Sequence, residues 1–235
     1  MSTTFDFSEH VVLVTGVSGA LGSAIAEAFD AAGATVCGTD LVAPENDDAL
    51  VDPEVVEFYE ADLTEEAAVE TVIDGVIDDH GQLDALCNIA GTWRGGDPIH
   101  ETDVEEFEFI FDVNLKTMFL ASKHALPHLQ ETNGTIVSVS ARSSLEGGEG
   151  DGPYRASKAG VRLLTETIAE ENLGTVRANA VMPSVIDTPM NREMMSGADF
   201  SKWVDPSEIA EMVLFLSSDA AEVTSGAAVP VYGEA

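Results

Sequence analysis

A β-branched run, a glycine-rich turn and a helical pattern follow one another without a break near the start of the chain. The run covers residues 10–15 and the turn covers residues 16–22. In the helical pattern after them, Ile25 and Phe29 are four residues apart on one face. This succession predicts a buried strand that turns sharply into a helix. It restricts the chain to folds in which helices pack against a sheet.

The rest of the chain repeats that alternation. Predicted strands lie near residues 11–15, 35–40, 55–60, 83–88, 134–140, 176–181 and 228–232. Predicted helices lie near 20–32, 64–80, 103–128, 153–172 and 207–217. Nearly continuous apolar strands that alternate with helices indicate an α/β fold, with a parallel sheet covered on both faces. Because no linker, internal repeat or low-complexity block interrupts 235 residues, we expect a single domain spanning 1–235.

The glycine turn and the next strand predict a dinucleotide site. Glycines let the backbone approach a pyrophosphate, which the positive end of the helix attracts. The second strand ends at Asp40, whose carboxylate can accept hydrogen bonds from ribose hydroxyls and repel a 2′-phosphate. No Arg or Lys lies close in sequence to Ser18 or Asp40, so we expect NAD(H) to be preferred over NADP(H). The alternative for the glycine segment is simply a tight turn between strand and helix. The alternative for Asp40 is an acidic surface residue without a binding role.

Tyr154 and Lys158 are spaced four residues apart, which places them on one face of a helix. An ammonium held there favours tyrosinate and predicts a Tyr154 pKa lowered toward neutrality. Such a phenol can give or take the proton that carbonyl reduction or alcohol oxidation requires. The alternative is an ordinary solvated helix face.

The charge is extreme, with 10 basic residues against 43 acidic residues and a formal net charge of −33. A field of this sign repels nucleic acid and anionic membranes. Molar salt shortens the Debye length to about 3 Å and removes most of the self-repulsion. With no long apolar run and no signal peptide, we expect a cytoplasmic protein of a salt-accumulating halophile, with a general acidic binding surface as the alternative.

Other candidate groups point to structure and to loops. Cys37 and Cys87 fall in predicted strands and are expected to be small core residues. The histidines show no ligand spacing with cysteine, and His124 and His128, four residues apart, lack an HExxH pattern, so no metal site is expected. Glycine-rich loops at 91–98 and 146–152 follow strands, at the edge where ligands bind in such sheets. The methionine-bearing segment 184–203 is predicted to be a mobile flap over that edge.

Together these motifs resemble the short-chain dehydrogenase/reductase family over nearly the whole chain. The matching features, in the family's order, are Thr15-Gly16 with its glycine loop, Asp62-Leu63, the block 88–91, Asn114, Tyr154 with Lys158, and 183–188. The resemblance implies one Rossmann-type, doubly wound parallel sheet of about seven strands. It also implies a small-molecule substrate and a homodimer or homotetramer packed through the helices near 103–128 and 153–172.

The resemblance assigns roles residue by residue. Asp62 would bind the adenine amine, Asn88 with Ala90 and Gly91 would line the adenosine side, and Ile186 and Thr188 would contact the nicotinamide amide. Lys158 would hold the nicotinamide ribose, and Asn114 would organise a water relay to Lys158. The cofactor-binding set is Gly16, Ser18, Gly19, Leu21, Gly22, Asp40, Leu41, Asp62, Leu63, Asn88, Ala90, Gly91, Tyr154, Lys158, Pro183, Ile186 and Thr188. The catalytic set is Tyr154, Lys158 and Asn114.

One position departs from the family. The family usually carries a serine thirteen residues before the tyrosine, and here that position is Ala141. Ser140 is adjacent on a strand and should point to the opposite face, although a one-residue gap would restore it. The segments 19–23, 91–96, 140–145, 187–192 and 198–203 resemble the quinonoid dihydropteridine reductase branch, which also lacks the serine. Trp93 and Trp203 would then be flat walls for a planar ring.

The sequence therefore predicts an NAD(H)-dependent oxidoreductase that transfers hydride between nicotinamide and a carbonyl, alcohol or imine carbon, with Tyr154 as acid or base. A dihydropteridine reductase proper is the alternative enzyme. A catalytically silent NAD-binding regulatory protein is the alternative from another class.

Overall fold

The computed structural model describes residues 5–234, and these form one parallel sheet with helices on both faces. Within that range the sheet has seven strands, in the order β3-β2-β1-β4-β5-β6-β7. The strands are β1 (Val11–Thr15), β2 (Thr35–Asp40), β3 (Glu57–Glu60), β4 (Ala85–Asn88), β5 (Thr135–Val139), β6 (Arg177–Pro183) and β7 (Ala228–Val231). The predicted doubly wound α/β fold is confirmed.

Successive strand residues alternate between two cores, which is why the strands read as continuous apolar runs. Val12 and Val14 of β1 face one core, and Val11 and Leu13 face the other. The first core lies under α1 (Ala20–Ala31) and α7 (Pro206–Ser217). The second core lies under α2 (Glu66–His80), α4 (Thr117–Thr132) and α5 (Gly152–Glu171).

Residues that the sequence patterns predicted to be in the core are buried in the structure. Ile25 and Phe29, on the inner face of α1, are fully buried. Cys37 and Cys87 are buried free thiols on β2 and β4. They belong to different cores, so they serve as the small apolar residues that the sequence predicted.

The single helix predicted for 103–128 is wrong in its detail. It is α3 (Val104–Phe111), one π-helical turn (Asp112–Lys116) and α4, which continues past Pro127 to Thr132. Asn114 lies in the middle of the π turn. Turns of this type occur often at functional sites. Pro127 does not end α4, and Leu129 beyond it is fully buried in the core.

The predicted flap at 184–203 carries more regular structure than the sequence indicated. It contains α6 (Pro189–Met194) and a 3-10 turn at Phe200–Lys202. Thr188 caps α6, because its hydroxyl oxygen accepts the Asn191 amide at 3.2 Å. Asp187 forms a two-point ion pair with Arg192, which ties the start of the segment to α6. No helix among residues 5–234 is long and apolar enough to cross a membrane.

Candidate active site

A cleft of about 1300 Å³ opens at the carboxyl ends of the strands. In the strand order, β1 and β4 are neighbours although β2 and β3 lie between them in sequence, so the chain reverses direction across the sheet here. Ligands of open α/β sheets bind at such a switch point. The cleft wall takes residues from the glycine turn, from the ends of β2, β4, β5 and β6, from α5 and from α6.

The glycine turn has the shape of a cradle for a ligand. Gly16 has φ +68, and a Cβ there would lie 2.7 Å from the Ala90 Cα. A Cβ on Gly22 would lie 2.1 Å from the Gly16 carbonyl oxygen. Both positions therefore exclude side chains, and the helix can start directly against the turn.

The first turn of α1 is left open toward the cleft. Among the described residues, no side chain caps this helix at Gly19, and its first turn carries no acidic residue. Gly19, Leu21 and Gly22 all line the cleft. Uncapped amides and the positive end of the helix fit a pyrophosphate, so the residues present suit a dinucleotide.

Asp40 is held rigidly at the end of β2. Its Oδ2 accepts the Ser18 amide at 3.1 Å, and its Oδ1 accepts the Leu41 amide at 2.7 Å and the Val42 amide at 3.3 Å. Ser18, Asp40 and Leu41 all line the cleft, which places the carboxylate beside the glycine turn.

Asp62 is fixed at the same end of the cleft. One of its oxygens accepts both the amide and the hydroxyl of Thr64, at 2.9 Å and 2.6 Å. These hydrogen bonds lower the pKa of Asp62 and keep it ionised. The neighbouring Leu63 also lines the cleft.

Lys158 is buried at the end of β5. Its Nζ donates to the Val139 carbonyl at 3.0 Å, and 5% of the residue is exposed. Burial lowers the pKa of Lys158 to about 8, because the ammonium has lost its hydration. A Cβ on Gly91 would lie 3.0 Å from this Nζ and 2.7 Å from the Asn114 Oδ1, so the three residues meet at one point.

Tyr154 lines the cleft four residues before Lys158, as the helical spacing predicted. The expectation of a lowered tyrosine pKa is wrong for this structure. Burial raises the pKa of Tyr154 to about 12, and the carboxylate of Asp151 adds to the rise while the cation of Arg155 opposes it. The ammonium of Lys158 is itself desolvated and donates to a backbone carbonyl.

Two predicted site residues do not line the cleft. The Asn88 amide is buried between strands and helix, where Nδ2 donates to Ser122 Oγ at 3.1 Å and Ser138 Oγ at 3.3 Å. Its predicted place on the adenosine side is therefore wrong for the side chain. Asn114 lies just behind the wall, and its carboxamide bonds both to the amide and to the carbonyl of Thr92, at 2.8 Å and 2.9 Å.

Ser140 and Ala141 follow β5 and both touch the cleft. The Ser140 hydroxyl donates to the Lys158 carbonyl at 2.8 Å, inside α5, and the serine is 2% exposed. Ser140 therefore anchors the helix that carries Tyr154. Ala141 occupies the wall position beside it.

The remaining wall residues divide into expected and missed ones. Six residues of the predicted cofactor-binding set line the cleft, namely Gly16, Ala90, Gly91, Pro183, Ile186 and Thr188. Trp93 lines it and is 41% exposed, but Trp203 is buried and packs on Phe200 with ring centroids 4.7 Å apart. Trp203 is thus not the second flat wall. The sequence reasoning missed Asp48, Arg142, Asp151 and Arg155 in the wall.

Known proteins resemble this chain over nearly its whole length. The family model described as Enoyl-(Acyl carrier protein) reductase matches residues 16–233. The chain is 32% identical to the 3-oxoacyl-[acyl-carrier-protein] reductase of Thermotoga maritima, over 95% of this chain and 96% of that protein. It is also 32% identical to the meso-2,3-butanediol dehydrogenase of Serratia marcescens, over 97% and 95% of the two chains.

A solved structure supports the same assignment. The ligand-free aldohexose dehydrogenase of Thermoplasma acidophilum superposes with a TM-score of 0.87 at 30% identity, covering 97% of this chain and 94% of that one. The family uses nicotinamide cofactors, which fits the open glycine cradle. The chain therefore belongs to the short-chain dehydrogenase/reductase family and is an oxidoreductase enzyme.

Proposed function

We propose that this enzyme is an NAD(H)-dependent oxidoreductase acting on a carbonyl or alcohol, or on an imine, with Tyr154 as the proton donor and acceptor. The observation that carries the proposal is that one cleft joins the open glycine turn, the Asp40 carboxylate, and the pair Tyr154 and Lys158. A nicotinamide dinucleotide in the cleft would supply or accept the hydride.

The protonation states suit the reduction direction. With its pKa raised to about 12, the Tyr154 phenol holds its proton at neutral pH. As the carbonyl carbon gains hydride, the C=O electron pair moves to oxygen and creates a stronger base than phenolate. Tyr154 then donates its proton to that oxygen, so no free alkoxide is released.

Lys158 and Asn114 would support that transfer. The buried ammonium, with its pKa lowered to about 8, remains mostly charged at pH 7 and can stabilise the phenolate left behind. Asn114 meets Lys158 at Gly91 and holds the Thr92 backbone by two hydrogen bonds. In this proposal, Asn114 organises the water relay through which Tyr154 is reprotonated.

The preference for NAD(H) is supported by the distribution of charge along the cleft. Asp40, Asp48 and Asp62 are wall residues near the glycine turn, whereas the basic wall residues belong to 142–158. Three carboxylates at the adenosine end would repel a 2′-phosphate, since like charges destabilise one another most where water is scarce.

A dihydropteridine reductase is the second candidate. Ala141 in the wall favours it, because a conjugated imine offers no lone carbonyl oxygen for a serine to hold. Trp93 supplies one flat face. Trp203 is buried and cannot supply a second flat face, so the dihydropteridine reductase candidate depends on Ala141 and Trp93.

The setting is also part of the proposal. The net charge of −33 supports the proposal that the enzyme works in the cytoplasm of a salt-accumulating halophile. A homodimer or homotetramer is supported by large apolar side chains exposed on α3, α4 and α5. These are Phe107, Phe119 and Leu163, which are 45%, 49% and 52% exposed.

Turnover of a panel of ketones, alcohols and a quinonoid pterin, with NADH or NADPH in molar KCl, tests the proposal. We expect turnover of a carbonyl compound or the pterin with NADH, and its loss in Tyr154→Phe. A Tyr154→Phe variant as active as the unmodified enzyme would refute the assigned role of the tyrosine.

A further inference from the structure

The Arg155 guanidinium joins α5 to the loop that precedes it. Its Nε donates to Asp151 Oδ1 at 2.5 Å, and its Nη1 lies 3.1 Å from the Glu146 carbonyl and 3.4 Å from the Ser143 carbonyl. The Arg155 and Asp151 side chains are only 23% and 16% exposed. One side chain, adjacent to Tyr154, therefore ties down most of the segment 143–151.

Bare backbone packs around this guanidinium. A Cβ on Gly148 would lie 2.2 Å from the Arg155 Cζ, so a side chain at that position would require the guanidinium to move. The loop can approach the arginine this closely only because residue 148 is a glycine. The Arg155–Asp151 ion pair is therefore enclosed by close backbone packing. An ordinary exposed salt bridge lacks such packing.

The same loop supports the second glycine-rich loop, at 91–98. The Gly96 amide donates to the Gly150 carbonyl at 2.6 Å. A Cβ on Gly95 would lie 2.6 Å from that carbonyl oxygen and 3.2 Å from the Asp151 Cα. The two loops thus touch each other, and Trp93 belongs to the loop that Gly150 holds.

Tyr154 lies beside this assembly. Asp151, Arg155 and Tyr154 all line the cleft, with Lys158 on the same helix and Arg142 and Glu146 contributed by the preceding loop. The Asp151 carboxylate raises the pKa of Tyr154, and the Arg155 cation lowers it. The two charges act on the phenol in opposite directions.

We propose that Asp151 and Arg155 form a positioning pair. The pair fixes the loops 91–98 and 143–151 against α5 and so orients a bound substrate toward the Tyr154 hydroxyl. The inference rests on the proposed function of Tyr154. It assigns a role in substrate positioning to two residues outside the predicted cofactor-binding set.

Arg155→Gln tests the pair, with Arg162→Gln as the matched control. Arg162 and Glu166 form an equivalent ion pair on the same helix, with Nη1 and Oε1 2.6 Å apart. We expect Arg155→Gln to raise KM for the carbonyl substrate by roughly tenfold or more, since loops that are no longer fixed bind the substrate less well, and to lower kcat, since misplaced substrate reacts poorly. The dissociation constant of NADH should stay within about twofold, because the glycine turn and Lys158 are untouched.

The pH profile separates positioning from mere packing. In alcohol oxidation the rising limb reports ionisation of Tyr154. That limb should move to higher pH in Arg155→Gln and to lower pH in Asp151→Asn. Arg155→Lys keeps the charge but loses the fork of donors, so we expect its limb near that of the unmodified enzyme while KM stays high.

Hydrogen exchange gives a readout that needs no turnover. We expect faster exchange of the Gly96 amide and of segment 143–151 in Arg155→Gln, and no change in Arg162→Gln. Unchanged exchange in Arg155→Gln, or a KM and pH limb equal to those of the control, would overturn the inference. Failure of the proposed function would show differently, as Tyr154→Phe with undiminished turnover.

Discussion

The buried ammonium of Lys158 costs the folded protein stability, and Lys158→Met should reveal how much. Burial lowers the pKa of this group from 10.5 to about 8. At 1.36 kcal/mol per pKa unit, keeping the ammonium charged inside the protein destabilises the fold by about 3 kcal/mol. Methionine has a similar length and no charge, so it should fill the same space without that cost.

One term opposes the gain. Lys158 donates to the Val139 carbonyl at 3.0 Å, and methionine leaves that buried oxygen without this donor. Because the donor is charged and the acceptor is buried, losing this hydrogen bond costs about 2 kcal/mol. The net expectation is a variant about 1 kcal/mol more stable than the unmodified protein, which corresponds to a rise in Tm of about 2–4 °C for a domain of this size.

The effect should depend on pH in a defined direction. Because the folded-state pKa lies below the unfolded one, the unfolded chain binds the extra proton between about pH 8 and pH 10.5. The unmodified protein therefore gains stability relative to the variant as pH rises through this window. The advantage of Lys158→Met should be fully present at pH 7 and should shrink above pH 8.

Urea unfolding of the cofactor-free protein in molar KCl, at pH 7 and pH 9.5, measures both effects. Comparing the two proteins at each pH cancels the titration of Cys37, Cys87 and Tyr154. Lys116→Met is the control, because Lys116 is 46% exposed and should change stability by less than about 0.5 kcal/mol. A Lys158→Met variant less stable than the unmodified protein at pH 7, or a difference that does not shrink at pH 9.5, would refute the reasoning.

Three further predictions concern the cofactor, the proton donor and the surface. Asp40→Ala should narrow the gap between NADH and NADPH dissociation constants, and equal constants in the unmodified protein would contradict the assigned preference. Tyr154→Phe should lower kcat by about 10²–10⁴ while NADH affinity barely changes, and Ser140→Ala should be nearly silent in comparison. If Ser140→Ala lowers kcat as much as Tyr154→Phe while Tm is unchanged, the lost anchor of α5 does not explain the effect. Ser140 then serves as the family's serine and the pterin candidate loses its main support. The Tm should rise strongly between dilute buffer and molar KCl, because screening relieves the repulsion of a chain with charge −33. A Tm that stays constant over that range would show that the charge is not an adaptation to salt.

The sequence predicted the sheet well because its signal is local. Strands buried on both faces read as continuous apolar runs, and α1 begins directly at the glycine turn. The missed elements depended on tertiary contacts. α6 is six residues long and is stabilised by the Thr188 cap, which a pattern of apolar residues does not show.

The sequence predicted where the site residues lie better than it predicted their pKa values. Helical spacing placed Tyr154 and Lys158 in one wall, and Asp40 lies beside the glycine turn as expected. The spacing carried no information on how deeply Lys158 is buried, and burial reverses the expected direction of the tyrosine pKa. Arg155 escaped notice because its partners include backbone carbonyls of the preceding loop, which sequence alone does not bring together.

The π turn at Asp112–Lys116 has a consequence for how the long helix keeps its buried stripe. An α-helix rotates by about 100° per residue, so the eight residues from Ile110 to Met118 would leave these side chains about 80° apart. A π turn holds one more residue than an α turn, and absorbing it reduces the offset to about 20°. Ile110 and Met118 are indeed both buried, at 0% and 3% exposure. The extra residue in the π turn therefore keeps Ile110 and Met118 on the buried side of one continuous helix.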